Sequence, residues 1–384
     1  MIPRRRASDN WTRDLEVELP VLNKNRWDQV KERLESSLSF LTGDRWRFRF
    51  SELGTTFIRP TRRRRHREGD QYFEADIVCL FSGGLDSLVG AIDWLETNET
   101  GKIILVGHHD GHVKGPLSDQ KALLRILKEY YGDRIDSVLV RIGMNPSGRE
   151  ITFRSRSLLF IAMGLFVAQS MSGRTELLMP ENGTIALNVP LTPSRRGTCS
   201  TRTAHPFFIE EISGILREIG LGSTIINPLQ YKTKGESVEQ CAGQRILHST
   251  ALESVSCAKR GHNRTWLERS ARGCGRCLPC IYRRAALHRV GLDTEIYGRD
   301  ICSGQVSIDG SDVLGEDFRA CMSFLKKNLT EDEIETLILA SGNIKLTDLP
   351  GYVGLVTRSR EEIRVLIRDK GIEAIKRRSG ICGN

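Results

Sequence analysis

The sequence predicts an α/β protein. Its centre is a doubly wound parallel sheet followed by a zinc knuckle, with an α+β extension before it and a helical appendage after it. Three observations lead there. From about residue 76, apolar strand-like runs alternate with helical patterns at the spacing of βαβ units. A glycine-rich turn, Ser82-Gly83-Gly84-Leu85-Asp86-Ser87, separates the first run from the first helix. Four of the ten cysteines fall together, between residues 257 and 280.

Taken in order, Leu15 to Leu19 alternates as a strand, and Arg26 to Phe40 has the period of an amphipathic helix. Trp46-Arg-Phe-Arg-Phe50 alternates again. A basic run, Arg62 to Arg67, closes this first unit, and Ala75 to Phe81 is a near-continuous apolar run of the kind buried on both faces. A helix over Leu88–Glu96 is expected next, then a strand over Lys102–Gly107 and a helix over Asp119–Tyr131. After these come a strand over Ser137–Ile142, a long apolar helix over Ser155–Met171 and a strand over Thr175–Pro180. Residues 181–256 are mixed. Beyond 300 the chain is more polar, with helices expected over Glu316–Asn328, Glu331–Ser341 and Arg360–Lys370. The implied units are 1–75, 76–256, 257–299 and 300–384.

With 384 residues, 39% of them hydrophobic, the chain can bury at least one full core. Its longest apolar stretch, Leu158 to Ala168, is well short of the roughly 18 residues a membrane span needs, so no membrane partner is expected. The opening Met1-Ile-Pro-Arg-Arg-Arg6 leads into no apolar signal core, and a cytoplasmic protein is expected. A net charge of +9 favours anionic partners such as ATP, nucleic acid or an acidic protein. Arg62 to Arg67 is read first as a solvated linker. A nucleic-acid contact ranks behind it, because no aromatic residue interleaves the arginines.

The turn at 82–87 is built to hold phosphate. Paired glycines let the backbone approach an anion without Cβ atoms in the way. Amides at the start of the next helix point at that anion, and the helix dipole favours its charge. Ser82 and Ser87 add hydroxyl donors, and Asp86, which alone would repel phosphate, calls for a magnesium ion nearby. A Walker A loop is excluded, since no Gly-Lys-Ser/Thr ending follows, and the spacing is not that of a dinucleotide fingerprint.

Cys257, Cys274, Cys277 and Cys280 follow the spacing C-x16-C-x2-C-x2-C. In a reducing compartment such a group points to metal rather than to disulfides. Four thiolates can close a tetrahedron around Zn2+, and a closed site stabilises structure instead of activating water. An iron–sulfur cluster is the rival for this spacing. Gly273 and Gly275 permit the tight turn, and His262 is read as solvent-facing. The other six cysteines, Cys79, Cys199, Cys241, Cys302, Cys321 and Cys382, are scattered.

The Ser-Gly-Gly-x-Asp-Ser turn resembles the pyrophosphatase loop of the N-type ATP pyrophosphatases, the adenine nucleotide alpha-hydrolase-like fold. That resemblance implies ATP cleavage between the α and β phosphates, adenylation of a substrate oxygen and release of pyrophosphate. Together with Ser256-Cys257 and Cys274-Gly-Arg-Cys277-Leu-Pro-Cys280-Ile-Tyr-Arg283, the turn resembles the QueC family, the 7-cyano-7-deazaguanine synthases. That family ends its core with a Ser-Cys … Cys-Gly-x-Cys-x-x-Cys-x-x-Arg knuckle. Arg156-Ser-Leu-Leu-Phe160 is similar to the family's Arg-Asn-x-x-Phe segment. Asn227-Pro-Leu229 with Lys232-Thr-Lys-Gly-Glu236 is similar to its Thr-Pro-Leu … Lys-x-Glu segment. The likeness covers about residues 76–290.

It implies an ATP-dependent carbon–nitrogen ligase that activates a small-molecule carboxylate, a 7-deazaguanine-type acid, for attack by an amine. ATP and Mg2+ would sit on Ser82, Gly83, Gly84, Leu85, Asp86 and Ser87. Asp86 would be catalytic, and Lys234 or Arg156 would hold the pyrophosphate. The family's base-holding aspartate and arginine are missing from the matching stretch, Arg202 to Ile209, and His108 to His112 replaces its tyrosine-glycine-glutamine stretch. With units added at both ends, the plan resembles the QueC-like component of the Qat anti-phage systems. That implies partner proteins from a defence operon and an amine acceptor carried by one of them. Three rivals stay open: a 7-cyano-7-deazaguanine synthase that turns the acid into a nitrile with ammonia, a tRNA- or nucleobase-modifying enzyme using the same adenylation, and a zinc-knuckle nucleic-acid module without catalysis.

Overall fold

The computed structural model describes residues 3–54, 74–111, 115–143, 154–171, 176–193 and 202–381. The basic run 62–67, Cys199, Cys382 and His112 lie outside them.

Strands β1 (Asp14–Val21) and β2 (Arg45–Glu52) form a parallel pair in register from Asp14 opposite Arg45 to Val21 opposite Glu52. Helices α1 (Lys24–Gln29) and α2 (Lys31–Thr42) make the crossover between them. The helix expected over 26–40 is thus interrupted at Val30, whose ψ of 1° leaves the helical range and whose side chain is fully buried. Parallel pairing needs a long crossover, which the two helices supply. Phe48 and Phe50 stack, with centroids 5.7 Å apart, on the buried face of β2.

The main sheet is five-stranded and all parallel, with strands β3 (Ile77–Leu80), β4 (Ile103–His109), β5 (Ile135–Arg141), β6 (Glu176–Leu178) and β7 (Ile225–Ile226) in the order β5-β4-β3-β6-β7. Ile77, Cys79, Ile103 and Leu105 face one apolar core, and Val78, Leu80, Ile104 and Val106 face another. A strand covered on both faces has no solvated side, which is why its sequence runs apolar without alternation. The first core is closed by α3 (Leu85–Thr97), α4 (Pro116–Tyr131), α8 (Lys234–Glu239) and α9 (Gln244–Thr250). The second is closed by α5 (Arg156–Gln169) and α7 (Pro206–Glu218), together with Val30, Leu38, Phe48 and Phe50 of the N-terminal unit. That unit therefore shares the sheet's own core.

Short helix α6 (Gly183–Leu187) follows β6, and α10 (Leu278–Arg289) follows the cysteine turn. Four helices complete the chain: α11 (Glu316–Lys326), α12 (Glu331–Ser341), α13 (Leu349–Lys370) and α14 (Glu373–Arg378). They pack around Phe318, Tyr352, Leu355 and Leu366, joined by Leu187 and Leu191 beyond β6 and by Ile281 of α10. Helix α13 begins eleven residues before the expected Arg360. Gly351 and Gly354 each cost about 1 kcal/mol in a helix, but burial of Tyr352, Val353, Leu355 and Val356 contributes about 1.5–3 kcal/mol per large side chain. No helix among the described residues is long and apolar enough to cross a membrane.

Candidate functional site

The strand order reverses between β3 and β6. The chain adds β4 and β5 on one side of β3, then returns to add β6 and β7 on the other. In open parallel sheets such a switch point leaves a crevice at the carboxyl ends of the strands. Here the crevice is a cleft of about 370 Å³. The turn after β3 lines it with Ser82, Gly83 and Ser87, and the end of β6 with Met179, Pro180 and Glu181. Arg156, Ser157 and Phe160 at the start of α5 form a further wall, and Val255, Cys257 and Arg260 close it from the cysteine region.

The turn itself is tightly determined. Gly83 sits at φ +83°, where an L side chain is strained, and an added Cβ would come within 3.2 Å of Gln120 Cγ. Gly84 N–H donates to Ser82 Oγ at 3.2 Å, and Ser87 Oγ donates to Gly84 O at 3.0 Å. The segment leading into the cysteines clamps the turn from outside. Val255 N–H donates to Gly83 O at 2.9 Å, and Leu85 N–H donates to Ser256 Oγ at 3.1 Å. The segment 255–256 thus holds the turn on both sides of Gly84.

Asp86 does not point out alone. Its Oδ2 takes the Lys234 ammonium at 2.5 Å and the Asn182 amide at 3.1 Å. Lys234 is buried, and its ammonium is committed to Asp86 rather than to the cleft wall. Asn182 is oriented by its second role as the cap of α6, where its Oδ1 accepts from Ile185 N–H at 3.2 Å. Asp86 Oδ1 is buried with no hydrogen-bond partner among the described residues. Beside it lies the Glu181 carboxyl, pushed up to about 8 by burial and then by the adjoining Asp86 charge, with Lys234 opposing. Asn227 fixes the Glu181 backbone by accepting from its N–H at 3.2 Å and donating to its carbonyl at 2.8 Å.

The C-terminal helices reach this network. Glu362 of α13 accepts from Thr233 Oγ1, from Gly235 N–H at 3.2 Å and from Arg289 Nη1 at 3.2 Å. It therefore grips both neighbours of Lys234, and a Cβ on Gly235 would collide with its carboxylate. Thr233 also heads a capping box with Glu236, which pairs with Arg358 of α13.

Arg156 faces the cleft. His108 Nδ1 lies 3.5 Å from its Nη2, and the guanidinium sits 5.3 Å from the Phe160 ring centroid. Burial holds His108 below the usual imidazole range, so its ring is neutral beside the arginine. Thr203 lines the cleft too. His205, two residues on, does not. It is fully buried as the N-cap of α7, 3.3 Å from Ser341 Oγ, and burial lowers it to about 3.

The four cysteines converge. Their sulfurs all lie within 4.8 Å of one another, and Cys274 Sγ is 3.9 Å from Cys280 Sγ. A tetrahedron with bonds of about 2.3 Å has edges of about 3.8 Å, so the sulfurs fit a single ion such as zinc. A cluster of several irons would hold them farther apart. Gly275 at φ +76° makes the turn, and Cys274 N–H donates to Cys257 Sγ at 3.3 Å. Contacts from Cys257, Cys277 and Cys280, in that order, hold the Cys274 thiol far below its ordinary value. Helix α10 starts on this turn, and Arg283 runs back from it to Ser254 Oγ at 2.7 Å and to Glu295 at 2.6 Å.

The sequence singled out the turn, Arg156, Lys234 and the cysteines. Glu181, Asn182, Ser157 and Glu362 were not singled out. Glu181 and Asn182 carry a local signal in hindsight: polar residues directly after a buried strand at the switch point. Glu362 carries none, since it arrives from the far end of the chain. No protein-family model matches the sequence, and the search of curated proteins finds no match either.

Proposed function

We propose that the protein is an ATP-dependent carbon–nitrogen ligase of the pyrophosphatase-loop type, which adenylates a carboxylate and passes the acyl group to an amine. The observation that supports it most is the Ser82–Ser87 turn at the switch point of a parallel sheet, opening on a cleft that also holds Arg156 and Glu181.

In this reading the acid's oxygen attacks the α-phosphorus of ATP in line. The bond to the β-phosphate oxygen breaks, and pyrophosphate leaves with the electron pair. Ser82, Gly83, Gly84, Leu85 and Ser87 cradle the leaving group, so catalysis is mainly positioning and charge neutralisation. Of the two cations named from sequence, Arg156 is the one in the cleft wall and is assigned the phosphate contact. Lys234 instead holds Asp86 in place. Asp86 Oδ1 and Glu181 are the groups that would hold Mg2+, whose charge offsets that of the triphosphate. An amine nitrogen then attacks the acyl carbon, AMP departs, and the nitrogen's proton passes to solvent. Zinc on the four cysteines is assigned to structure.

A 7-deazaguanine-type acid, a protein-borne amine and a role in anti-phage defence rest on the QueC resemblance. The N-terminal unit and α13 pack into the enzyme's own cores, so neither reads as a free docking module. Exchange of labelled pyrophosphate into ATP tests the reading. Wild type should catalyse it in the presence of the acid, and Asp86→Ala should lose it with the fold intact. Release of ADP and phosphate would refute it. Intact-mass spectrometry of co-expressed partners tells a protein-borne amine from ammonia.

A further inference from the structure

Helix α5 begins in the wall of the same cleft, with Ser155 giving its first turn no side-chain cap and no acidic residue facing it from within that turn. An uncapped helix start favours an anion, yet that alone does not make a site. The second observation is Ser157. The residue is only 3% exposed and lines the cleft, and its hydroxyl has no hydrogen-bond partner among the described residues. Buried hydroxyls are almost always paired, because leaving one unpaired is costly. In a ligand cleft the missing partner is supplied by what binds there. One turn on, Phe160 presents an apolar ring to the same space, held on edge by His108 with centroids 5.2 Å apart.

The adenylation chemistry gives this second anion position a purpose. In-line attack places the nucleophile on the side of the α-phosphorus away from the departing pyrophosphate. The turn before α3 and the Arg156 side chain already take the phosphates, so the acid needs a separate holder in the cleft. We infer that the first turn of α5, with Ser157 Oγ as donor and Phe160 against the ring, binds the carboxylate that is to be activated. This rests on the ligase reading proposed above.

The test compares wild type with Ser157→Ala, a change that suits a helix. Calorimetry would measure four probes: α,β-methylene-ATP, pyrophosphate, 7-carboxy-7-deazaguanine, and 7-deazaguanine without the carboxylate. Wild type should bind the carboxylated base more tightly than the bare one. Ser157→Ala should weaken the carboxylated base about tenfold or more, the scale of a hydrogen bond to a charged group, and leave the other three within about twofold. Equal weakening of pyrophosphate or the nucleotide would overturn the assignment by placing Ser157 in the phosphate site. A wild type that binds nucleotide but shows no preference for the carboxylate overturns this inference and leaves the ATP reading standing. A wild type that binds neither nucleotide nor pyrophosphate removes the ligase reading, and this inference with it.

Discussion

Replacing Glu181 by Gln should change how stability depends on pH. Glu181 titrates near 8 in the fold, raised by burial and by Asp86, against an ordinary value of 4.5. Between those values the folded protein keeps a proton that the unfolded chain has lost. Its contribution is therefore fully present below pH 4.5 and declines as pH rises toward 8. The slope is about 1.4 kcal/mol per pH unit, so at most about 3 kcal/mol is lost between pH 5.5 and 7.5. That figure is a ceiling, because proton binding at Glu181 depends on the charges packed beside it. Gln keeps the volume and can donate to Asp86 without titrating. The assay is thermal unfolding of both proteins at pH 5.5, 6.5, 7.5 and 8.5. The stability difference, wild type minus Glu181→Gln, should fall by about 2–3 kcal/mol from pH 5.5 to 7.5 and flatten above 8. A difference that stays constant across the range would refute a Glu181 carboxyl held protonated at the switch point.

Three further outcomes are expected. Cys277→Ser should reduce bound zinc from about one per chain and lower the melting temperature, since structural metal binding is coupled to folding; elemental analysis with a melting curve checks both. Ser256→Ala should leave the metal in place but loosen the turn before α3, weakening α,β-methylene-ATP several-fold in calorimetry, roughly one lost hydrogen bond of about 1 kcal/mol. Glu362→Ala removes the acceptor for Thr233 and Gly235 and should cost about 2–3 kcal/mol in denaturant unfolding, with nucleotide affinity falling alongside.

The parallel sheet was legible because each central strand is apolar on both faces and each crossover helix carries its own period. Strand β7 was not, since two residues cannot show a period and Ile225–Ile226 pairs only through β6. The break at Val30 was hidden for a similar reason, because the apolar spacing continues through it while the backbone does not. Of the site, the glycine turn and the cysteines are local motifs, readable without knowing the fold. The rest is assembled across the fold. Asp86 and Lys234 are 148 positions apart, and Thr233 and Glu362 are 129 apart, so no window of sequence contains either pair. Lys234 was named beside Arg156 as a pyrophosphate contact on the strength of the QueC resemblance; in the fold its ammonium lies against Asp86, an arrangement that pairs a buried charge.

These long-range pairs also explain why the regions outside the sheet belong to the site. The turn before α3 has to present its amides in one conformation, with a glycine at positive φ inside it and a carboxylate directly behind. Left to itself that carboxylate would repel phosphate and a nearby second carboxylate. The fold answers with Lys234 and Asn182 on Asp86, and with the segment 255–256 on the turn's backbone. Each of these is itself held: Lys234 by Glu362 on its neighbours, Asn182 by the start of α6, and Ser256 by Cys257, the first of the four clustered cysteines, at the next residue. In the ligase reading, a turn fixed from three directions loses little further freedom when phosphate binds, which is how preorganisation raises affinity without adding contacts. The cysteine centre and α13 therefore act on the cleft through geometry, and, if the proposed ligase reading holds, a change in either should be felt first as a weaker grip on the nucleotide.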